Sequence, residues 1–146
     1  WIENTDATIK FNNAGKCFYT PSEDYISMAR HESFSDTETS DSTELYYSTL
    51  LHELTHWTGC KKRLDRTTGK RFADYDYAYE ELVAELGAAM QCAQLGISSE
   101  PRADHVQYIQ GWLKALKNDN KLIFSAAAQA QKAVDFIEHL QGSESA

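Results

Sequence analysis

The stretch that most constrains the fold is residues 46–60, which read YYSTLLHELTHWTGC. Its large apolar residues recur every three or four positions, and at 100° per residue they gather on one side of a helix. They are Tyr47, Leu50, Leu51, Leu54 and Trp57. The spacing predicts a helix over about 44–58 that starts at Ser42-Thr43 and stops at Gly59, a residue type common just past helix ends.

Two histidines lie on the side of this helix opposite the apolar residues. His52 and His56 are four positions apart, so both imidazoles project from one face and can bind one metal ion about 2.0–2.1 Å away. Glu53 points to the side, where a carboxylate can accept a proton from a water on the metal. The pattern HExxH therefore predicts a catalytic zinc site. The alternative is a solvated helix face whose two surface histidines match the pattern by chance.

A zinc site needs a third ligand, and the residues directly after the motif do not supply it. The HExxHxxGxxH pattern of the metzincin metallopeptidases requires a third histidine at position 62, where this chain has Lys62. A protonated lysine repels a dication, and neither Met28 nor Met90 is placed in a convincing Met-turn. The metzincin interpretation is therefore excluded, and Gly59 is interpreted as a helix terminator.

A second helix, predicted from about Asp76 to Leu95 and closed by Gly96, carries candidate carboxylates. Glu81 and Glu85 lie one turn apart, on the side away from the main apolar residues. The residues around them are small, which lets another helix approach closely: Ala84, Ala88 and Cys92. Carboxylates buried in a close helix contact are costly without a partner, so we expect this face to meet the histidine helix.

This packing predicts a His₂Glu site in which Glu81 is the third ligand and a water takes the open fourth position. Glu85 is expected to accept a hydrogen bond from a ligand histidine and to fix the orientation of its ring. Glu80 is expected to point elsewhere and face solvent. An ordinary acidic solvent face is the alternative, but it does not explain the small residues around Glu81 and Glu85.

The rest of the chain completes an α+β fold with a single domain over residues 1–146. Turn-forming residues separate short strands near the start, which predicts a small antiparallel sheet packed on a helical body of about four helices. The segment 25–29 is expected to be an edge strand to which an extended substrate adds. A third helix is predicted to start near Pro101 and reach Leu116, and a fourth to cover about 121–140.

A developing oxyanion usually needs a hydrogen-bond donor in addition to the metal. His105 and Tyr108 are three positions apart on the predicted third helix, on the side away from its apolar residues. They are the candidate donors, and Tyr108 is the preferred one. The alternative is that Tyr108 packs in the core and His105 is a surface group.

The charge balance restricts the class of partner. Lys and Arg number 14 against 22 Asp and Glu, and the net charge of −8 disfavours nonspecific nucleic-acid binding by this segment. One basic cluster is interpreted as a solvated loop. It consists of Lys61, Lys62, Arg63, Arg66, Lys70 and Arg71.

The cysteines predict the redox state of the compartment, and the first residue predicts that the chain comes from a longer protein. Cys17, Cys60 and Cys92 are few and far apart, which predicts free structural thiols in a reducing compartment. No stretch predicts a membrane span or a signal peptide, so no membrane partner is expected. The start at Trp1 predicts that the chain is a trimmed piece of a longer protein.

An HExxH motif followed some two dozen residues later by a helical glutamate resembles the gluzincin metallopeptidases. The resemblance to one family is closer still. FYTPSEDYISM, YYSTLLHELTHWTG, YEELVAELGAAM and HVQYIQGWLKAL…NKLIFSAAAQAQKAVDFI look like the C-terminal zincin-like domain of ArdC/TraC-type antirestriction proteins. The similarity covers nearly all of residues 9–137 in order. The departure at Cys60-Lys61-Lys62, directly after the motif, affects no catalytic position.

The chemistry of the motif predicts one Zn²⁺ per chain and hydrolysis of a protein or peptide substrate, with Glu53 as the general base. The resemblance implies a single-stranded-DNA-binding domain N-terminal to this chain, and a cytoplasmic role in protecting mobile DNA from restriction in a new host. The second hypothesis is a catalytically idle, metal-stabilised module, with DNA protection carried out by the other domain. An intact Glu53 favours hydrolysis, because a structural metal site does not use a general base.

Overall fold

Three short strands precede the helices in the computed structural model, which describes residues 1–66, 73–97, 109–114 and 120–142. The strands are β1 (Thr8–Asn12), β2 (Phe18–Thr20) and β3 (Tyr25–Ala29), followed by a 3₁₀ turn at His31–Ser33. The helices are α1 (Ser42–Thr58), α2 (Ala73–Leu95), a segment α3 at residues 109–114, and α4 (Asn120–Gly142). The predicted α+β class, a small sheet with a mainly helical body, is confirmed.

The sheet is mixed, and the prediction of an antiparallel sheet is wrong. β3 lies between the other strands, parallel to β1 and antiparallel to β2. It takes the centre because its Ile26 and Met28 are fully buried, whereas β1 and β2 are more exposed. The Asn12 side chain shapes the turn after β1: it accepts a hydrogen bond from Ala14 N–H at 2.9 Å and donates one to Ser27 Oγ on β3 at 2.8 Å. The chain therefore crosses to the far side of β3 before β2 begins. The prediction that residues 25–29 form an edge strand is also wrong.

Helix α1 begins at Ser42, at the predicted Ser42-Thr43 entry, and the residue that caps it is the preceding Asp41. The Asp41 side chain accepts a hydrogen bond from Glu44 N–H at 2.8 Å, and Glu44 Oε2 accepts one from Asp41 N–H at 3.2 Å. This reciprocal capping box satisfies two backbone donors that a helix start leaves unpaired. The helix ends at Thr58, as predicted, and Gly59 caps it.

The C-terminal half of α1 is buried on nearly every side. The predicted apolar residues Leu50, Leu51, Leu54 and Trp57 are buried. Tyr47 is instead 40% exposed, and its neighbour Tyr46 is buried with the apolar core. His52 and Glu53 are each only 7% exposed, because α2 packs against the face that carries the histidines.

Helix α2 contacts both α1 and α4. Ala88 and Cys92 are buried with the apolar side of α1, and Val83 is buried with two alanines of α4. The helix ends at Leu95, as predicted, and Gly96 follows with a φ of +68°, a left-handed conformation that glycine adopts readily. Within the described ranges, no helix combines the length and the apolar character needed to cross a bilayer.

Candidate metal centre

Three side chains from α1 and α2 converge on one point. The Nε2 atoms of His52 and His56, one turn apart on α1, are 3.2 Å from each other. Glu81 reaches them from α2, with Oε2 3.4 Å from Nε2 of His52 and Oε1 3.2 Å from Nε2 of His56. A tetrahedral site with metal–ligand bonds of about 2.0–2.1 Å has edges of roughly 3.3–3.4 Å between ligand atoms. The three donors therefore fit a single metal ion.

Each histidine has a second carboxylate at its other ring nitrogen. Nδ1 of His52 lies 3.3 Å from Oε1 of Glu85, which was predicted to meet a ligand histidine. Nδ1 of His56 lies 3.4 Å from Oε1 of Glu80. A carboxylate in this position holds a proton on Nδ1, so that Nε2 is the nitrogen presented to a metal ion.

The prediction that Glu80 faces solvent is wrong. Its side chain is 20% exposed, and its carboxylate lies between His56 and Arg66, whose Nη2 is 2.9 Å from Glu80 Oε1. Burial alone would raise the pKa of Glu80, but hydrogen bonds from His56 and Arg66 hold it below its ordinary value. Helical periodicity did not reveal this contact, because Arg66 reaches α2 from the loop that follows α1.

The basic cluster is not a uniformly solvated loop, contrary to the prediction. Lys62 is indeed exposed, with 78% of its side chain accessible. Arg63 and Arg66 instead turn inward, and their side chains are 11% and 5% exposed. Both pair with carboxylates of other elements, which offsets the cost of burying a charge. Lys70 and Arg71 lie outside the described residues.

The charged groups of the cluster strongly shift one another's pKa values. Burial alone would lower the pKa of His52, but the carboxylates of Glu81 and Glu85 raise it to about 10. Burial alone would raise the pKa of Glu81, but the two histidines lower it to about 2. The pKa of His56 is also raised, because hydrogen bonds to Glu80 and Glu81 outweigh its burial. The carboxylates thus favour positive charge at this point, either as protons or as a metal dication.

Glu53 lies beside this cluster, and its carboxylate lines the same cavity. It accepts a hydrogen bond from the backbone N–H of Tyr19 on β2, and it is 7% exposed. Burial raises the pKa of Glu53 above its ordinary value, and the two nearby histidines offset this only in part. A buried carboxylate with a raised pKa at the wall of a cavity is suited to proton transfer.

A cavity of about 510 Å³ opens onto the cluster. β2 and several aromatic side chains form its walls: Phe18, Tyr19, Tyr77 and Trp112. Phe18 and Tyr77 remain 41% and 63% exposed. None of these aromatic residues is predicted as a site residue from the sequence. For Tyr77 a signal existed, since it lies one turn before Glu81 on α2 and so shares its side of the helix.

Two predicted hydrogen-bond donors, His105 and Tyr108, lie outside the described residues. The cysteines carry no disulfide: Cys92 is buried in the core, whereas Cys17 and Cys60 are partly exposed. Cys17 lines the cavity, and Cys60 follows the cap of α1. Among the described residues, the clustered candidate metal donors are the nitrogen and oxygen atoms of His52, His56 and Glu81.

The fold and the donor cluster together define a class of protein. Residues 1–129 match the profile of MPTase-PolyVal, the zincin-like metallopeptidase family, and the chain belongs to that family. Its predicted resemblance to ArdC/TraC-type proteins is confirmed by individual relatives. It is 41% identical over 133 residues to the uncharacterized protein y4eC of Sinorhizobium fredii (strain NBRC 101917 / NGR234), covering 91% of this chain and 41% of that protein. It is 41% identical over 131 residues to the DNA primase TraC of Escherichia coli, covering 90% of this chain and 12% of TraC.

Two solved structures of the antirestriction protein ArdC from plasmid R388 share the fold. The Mn(II)-bound structure matches with a TM-score of 0.82 and 42% identity, over 98% of this chain and 51% of ArdC. The metal-free structure matches with a TM-score of 0.81 and 41% identity, over 97% and 49%. The chain thus spans about half of ArdC and less than half of y4eC and TraC. The cofactor of this domain is a metal ion, and the cluster of His52, His56 and Glu81 is the candidate site.

Proposed function

We propose that the chain is a zinc-dependent metallopeptidase domain, with the metal held by His52, His56 and Glu81 and with Glu53 as general base. The observation that carries this proposal is the placement of Glu53. A structural metal site has no use for a further buried carboxylate, and burying one is costly. Here the carboxylate faces the cavity beside the three donors and is fixed by the Tyr19 N–H.

Two imidazoles and one carboxylate are a donor set that suits zinc, with a position left for a reactant. When bound, such a metal supplies a Lewis acid that polarises a carbonyl oxygen and acidifies water. Glu53 then takes the proton of the attacking water and transfers it to the leaving amine. Its raised pKa favours both steps, because a carboxyl group with a pKa nearer neutrality both accepts and releases a proton readily.

The proposed substrate is a protein segment in extended conformation, bound along β2. Since β3 is in the centre of the sheet, β2 is the edge strand on the cavity side. The N–H of Tyr19 points away from β3 to Glu53, and the carbonyl of the same residue points to the same side. That carbonyl can accept a hydrogen bond from an added strand. Phe18 and Tyr77, exposed at the cavity, supply apolar surface for its side chains.

A second candidate function is a metal-binding module that performs no proteolysis. In this account single-stranded DNA is bound by another domain of a longer cytoplasmic protein, N-terminal to the domain formed by residues 1–146, which protects incoming DNA from restriction. The names of the relatives favour it, since ArdC is an antirestriction protein and TraC a DNA primase. The net charge of −8 supports assigning the DNA contact to another part of the protein.

One comparison weakens the idea that the metal only stabilises the fold. This chain matches the Mn(II)-bound and metal-free ArdC structures almost equally, with TM-scores of 0.82 and 0.81. Structural zinc sites usually supply a large part of the folding free energy, and their domains unfold without the ion. A fold that persists without metal is better suited to a site that binds a reactant.

The deciding experiment compares wild type with Glu53→Gln and Glu53→Ala, which retain and remove the hydrogen-bond acceptor for Tyr19 N–H. Metal content, peptide hydrolysis and protection of DNA from restriction are measured for each protein, the last in the full-length protein. We expect both variants to keep the metal and to lose hydrolysis by at least a hundredfold. Full protection by a variant that retains metal but not hydrolysis would support the second candidate. Unchanged hydrolysis in Glu53→Ala would refute the peptidase mechanism.

A further inference from the structure

Arg66 donates four hydrogen bonds next to the metal centre, although it touches none of the proposed ligands. Its Nε and Nη2 reach the two carboxylate oxygens of Glu80 at 3.2 and 2.9 Å, a bidentate arrangement. Its Nη1 donates to Thr58 Oγ1 at 2.7 Å, and its Nη2 donates to the Thr55 carbonyl at 2.6 Å. The guanidinium therefore links the end of α1 to the start of α2.

The loop after α1 is shaped to return Arg66 to this place. The N–H of Arg66 donates to the carbonyl of Gly59 at 3.0 Å, and the preceding Asp65 has a left-handed φ of +46°. Aspartate is among the few residues that adopt this conformation without large cost. The loop thus folds back on the helix end within seven residues.

Gly59 is required by the guanidinium and not by its own backbone. Its φ of −75° and ψ of −9° are accessible to any residue. A Cβ at this position would instead lie 2.9 Å from Nη2 and 3.2 Å from Cζ of Arg66, and 3.1 Å from the His56 carbonyl oxygen. All three distances are shorter than ordinary contact, and the hydrogen bonds of Arg66 to Thr55 and Thr58 oppose displacement of the guanidinium.

Arg66 and His56 contact the same carboxylate oxygen of Glu80. Oε1 of Glu80 accepts from Arg66 Nη2 at 2.9 Å and faces Nδ1 of His56 at 3.4 Å. With Glu80 fixed by Arg66, the imidazole of His56 is held with its Nε2 towards His52 and Glu81. A carboxylate behind a ligand histidine fixes the ring orientation and strengthens metal binding.

We propose that Arg66 is a positioning residue of the metal site, which acts through Glu80 on His56 and thereby sets the affinity for the metal. The proposal rests on the proposed ligand set but not on the hydrolytic activity. Removal of the guanidinium leaves Glu80 free to rotate away from His56. We therefore expect the metal dissociation constant to increase about 10- to 100-fold, the range found when such outer partners are removed.

Arg63 offers a matched control three residues earlier in the same loop. It too is largely buried and paired with a carboxylate: it donates to the Trp57 carbonyl at 2.6 Å and forms an ion pair with Asp24. Its guanidinium also stacks on the Trp57 ring at 3.9 Å. Asp24 belongs to the turn between β2 and β3, and its carboxylate contacts Lys62, Arg63 and the Tyr19 hydroxyl. Arg63 also donates to the Tyr19 hydroxyl at 3.2 Å, so its loss removes a comparable buried ion pair without removing a contact of His52, His56 or Glu81.

The test measures zinc affinity by chelator competition, together with thermal unfolding in excess chelator. The variants are Arg66→Gln, Arg66→Lys, Glu80→Gln, the double variant Arg66→Gln/Glu80→Gln, and Arg63→Gln as control. We expect Arg66→Gln to bind zinc 10- to 100-fold more weakly. Arg66→Lys is expected to retain part of the zinc affinity that Arg66→Gln loses. The double variant is expected to lose less zinc affinity than the two single variants lose in sum, because both residues act through one contact. Arg63→Gln is expected to lose stability but keep wild-type affinity.

Two outcomes overturn the proposal. The first is that Arg66→Gln binds zinc as tightly as wild type, whatever its stability, which makes Arg66 a structural residue only. The second is that Arg66→Gln and Arg63→Gln lose affinity equally, which makes the effect one of general destabilisation. If Arg66→Gln does not fold, the comparison of Glu80→Gln with Arg63→Gln decides in the same way. A wild-type protein that binds no metal would instead refute the ligand set itself.

Discussion

Gly87 of α2 lies directly against Thr55 of α1, so close that a Cβ on Gly87 would be 2.5 Å from Thr55 Cγ2. Thr55 is fully buried, and its hydroxyl donates to the Leu51 carbonyl at 2.8 Å. Burial and this hydrogen bond hold its side chain in one rotamer. The two helices therefore cross with their backbones close together. This crossing lies six residues beyond Glu81 and allows its carboxylate to reach both histidines.

Substitution of Gly87 is expected to disturb stability and the metal site together. Gly87→Ala must push α2 away from α1, and overpacking of this kind costs about 1–3 kcal/mol of unfolding free energy. The same displacement moves Glu81 relative to the histidines, so we expect weaker metal binding as well. Denaturant unfolding and chelator competition measure the two effects.

Gly111 is the matched control, because it is also helical and a Cβ there would meet nothing within 4 Å. Gly111→Ala is expected to leave metal binding unchanged and to add up to about 1 kcal/mol of stability through helix propensity alone. Equal stability of Gly87→Ala and Gly111→Ala would show that the contact with Thr55 is not tight.

The two carboxylates of α2 are expected to differ in their effect on metal binding. Glu81→Ala removes a proposed ligand and should abolish tight binding. Glu85→Ala removes only the partner of His52 Nδ1 and should weaken binding about 10- to 100-fold. Glu138→Gln, on the exposed side of α4, serves as the control and should change nothing. If Glu81→Ala keeps full occupancy while Glu85→Ala loses it, the two assignments are reversed.

Metal binding is expected to release protons at neutral pH. The pKa of His52 is raised to about 10, so this imidazole is protonated at pH 7 and must lose a proton before it can bind a metal. The apparent affinity should therefore increase at least about tenfold per pH unit between pH 6 and 8. Calorimetry in buffers of different ionisation enthalpy counts the protons. No proton release at pH 7 would show that His52 is already neutral.

In excess chelator the same pKa shift predicts the opposite trend for stability. A histidine whose pKa is higher in the folded than in the unfolded chain stabilises the fold fully below its unfolded value near 6.5. This contribution of His52 is lost as the pH rises towards about 10. We therefore expect the melting temperature of the metal-free protein to fall as the pH rises from 7 to 10. In Glu85→Gln, which lacks one of the carboxylates that raise this pKa, the fall should be smaller.

Asp24 is expected to contribute to stability above its own titration range. Its hydrogen bond with Arg63 lowers its pKa below the ordinary value, and Tyr19 OH donates to it at 2.8 Å. A carboxylate whose pKa is depressed in the folded state stabilises the protein above about pH 4 and loses that contribution as the pH falls. Asp24→Asn should cost about 1–2 kcal/mol at pH 7 and reduce the sensitivity to acid.

Asparagine is the right replacement there, because Asp24 has a left-handed φ of +53° that asparagine tolerates. Glu38→Gln, at an exposed position, provides the control and should leave both quantities unchanged. An unchanged acid profile in Asp24→Asn would mean that this ion pair does not contribute to the folded state in solution.

Local periodicity was enough to predict the helices that carry the site. α1 and α2 end where Gly59 and Gly96 indicated, and the i, i+4 spacing placed the histidine pair on one face. These features depend on neighbours in sequence, so the sequence contains them directly. The burial of the histidine face followed from the small residues of α2, which permit a close helix contact.

The errors concern contacts between residues far apart in the chain. The sheet order depends on the crossing of the chain over β3 between β1 and β2, which strand periodicity does not encode. Glu80 was assigned to solvent because its partner Arg66 is 14 residues away in a loop without a periodic pattern. A charged residue in a loop is usually solvated, and only the three-dimensional return of the chain reveals that this one is buried.

Gly59 shows that a glycine at the same place in a motif can have different structural roles in different zincin-like proteins. The string HExxHxxG occurs in this chain as in the metzincins, but the third histidine that gives the metzincin glycine its context is absent. Here the glycine makes room for an arginine seven residues later. A signature that includes position 59 but not position 66 therefore groups proteins by coincidence. The informative unit in this chain is the pair of positions, because a side chain at position 59 would meet the guanidinium at position 66.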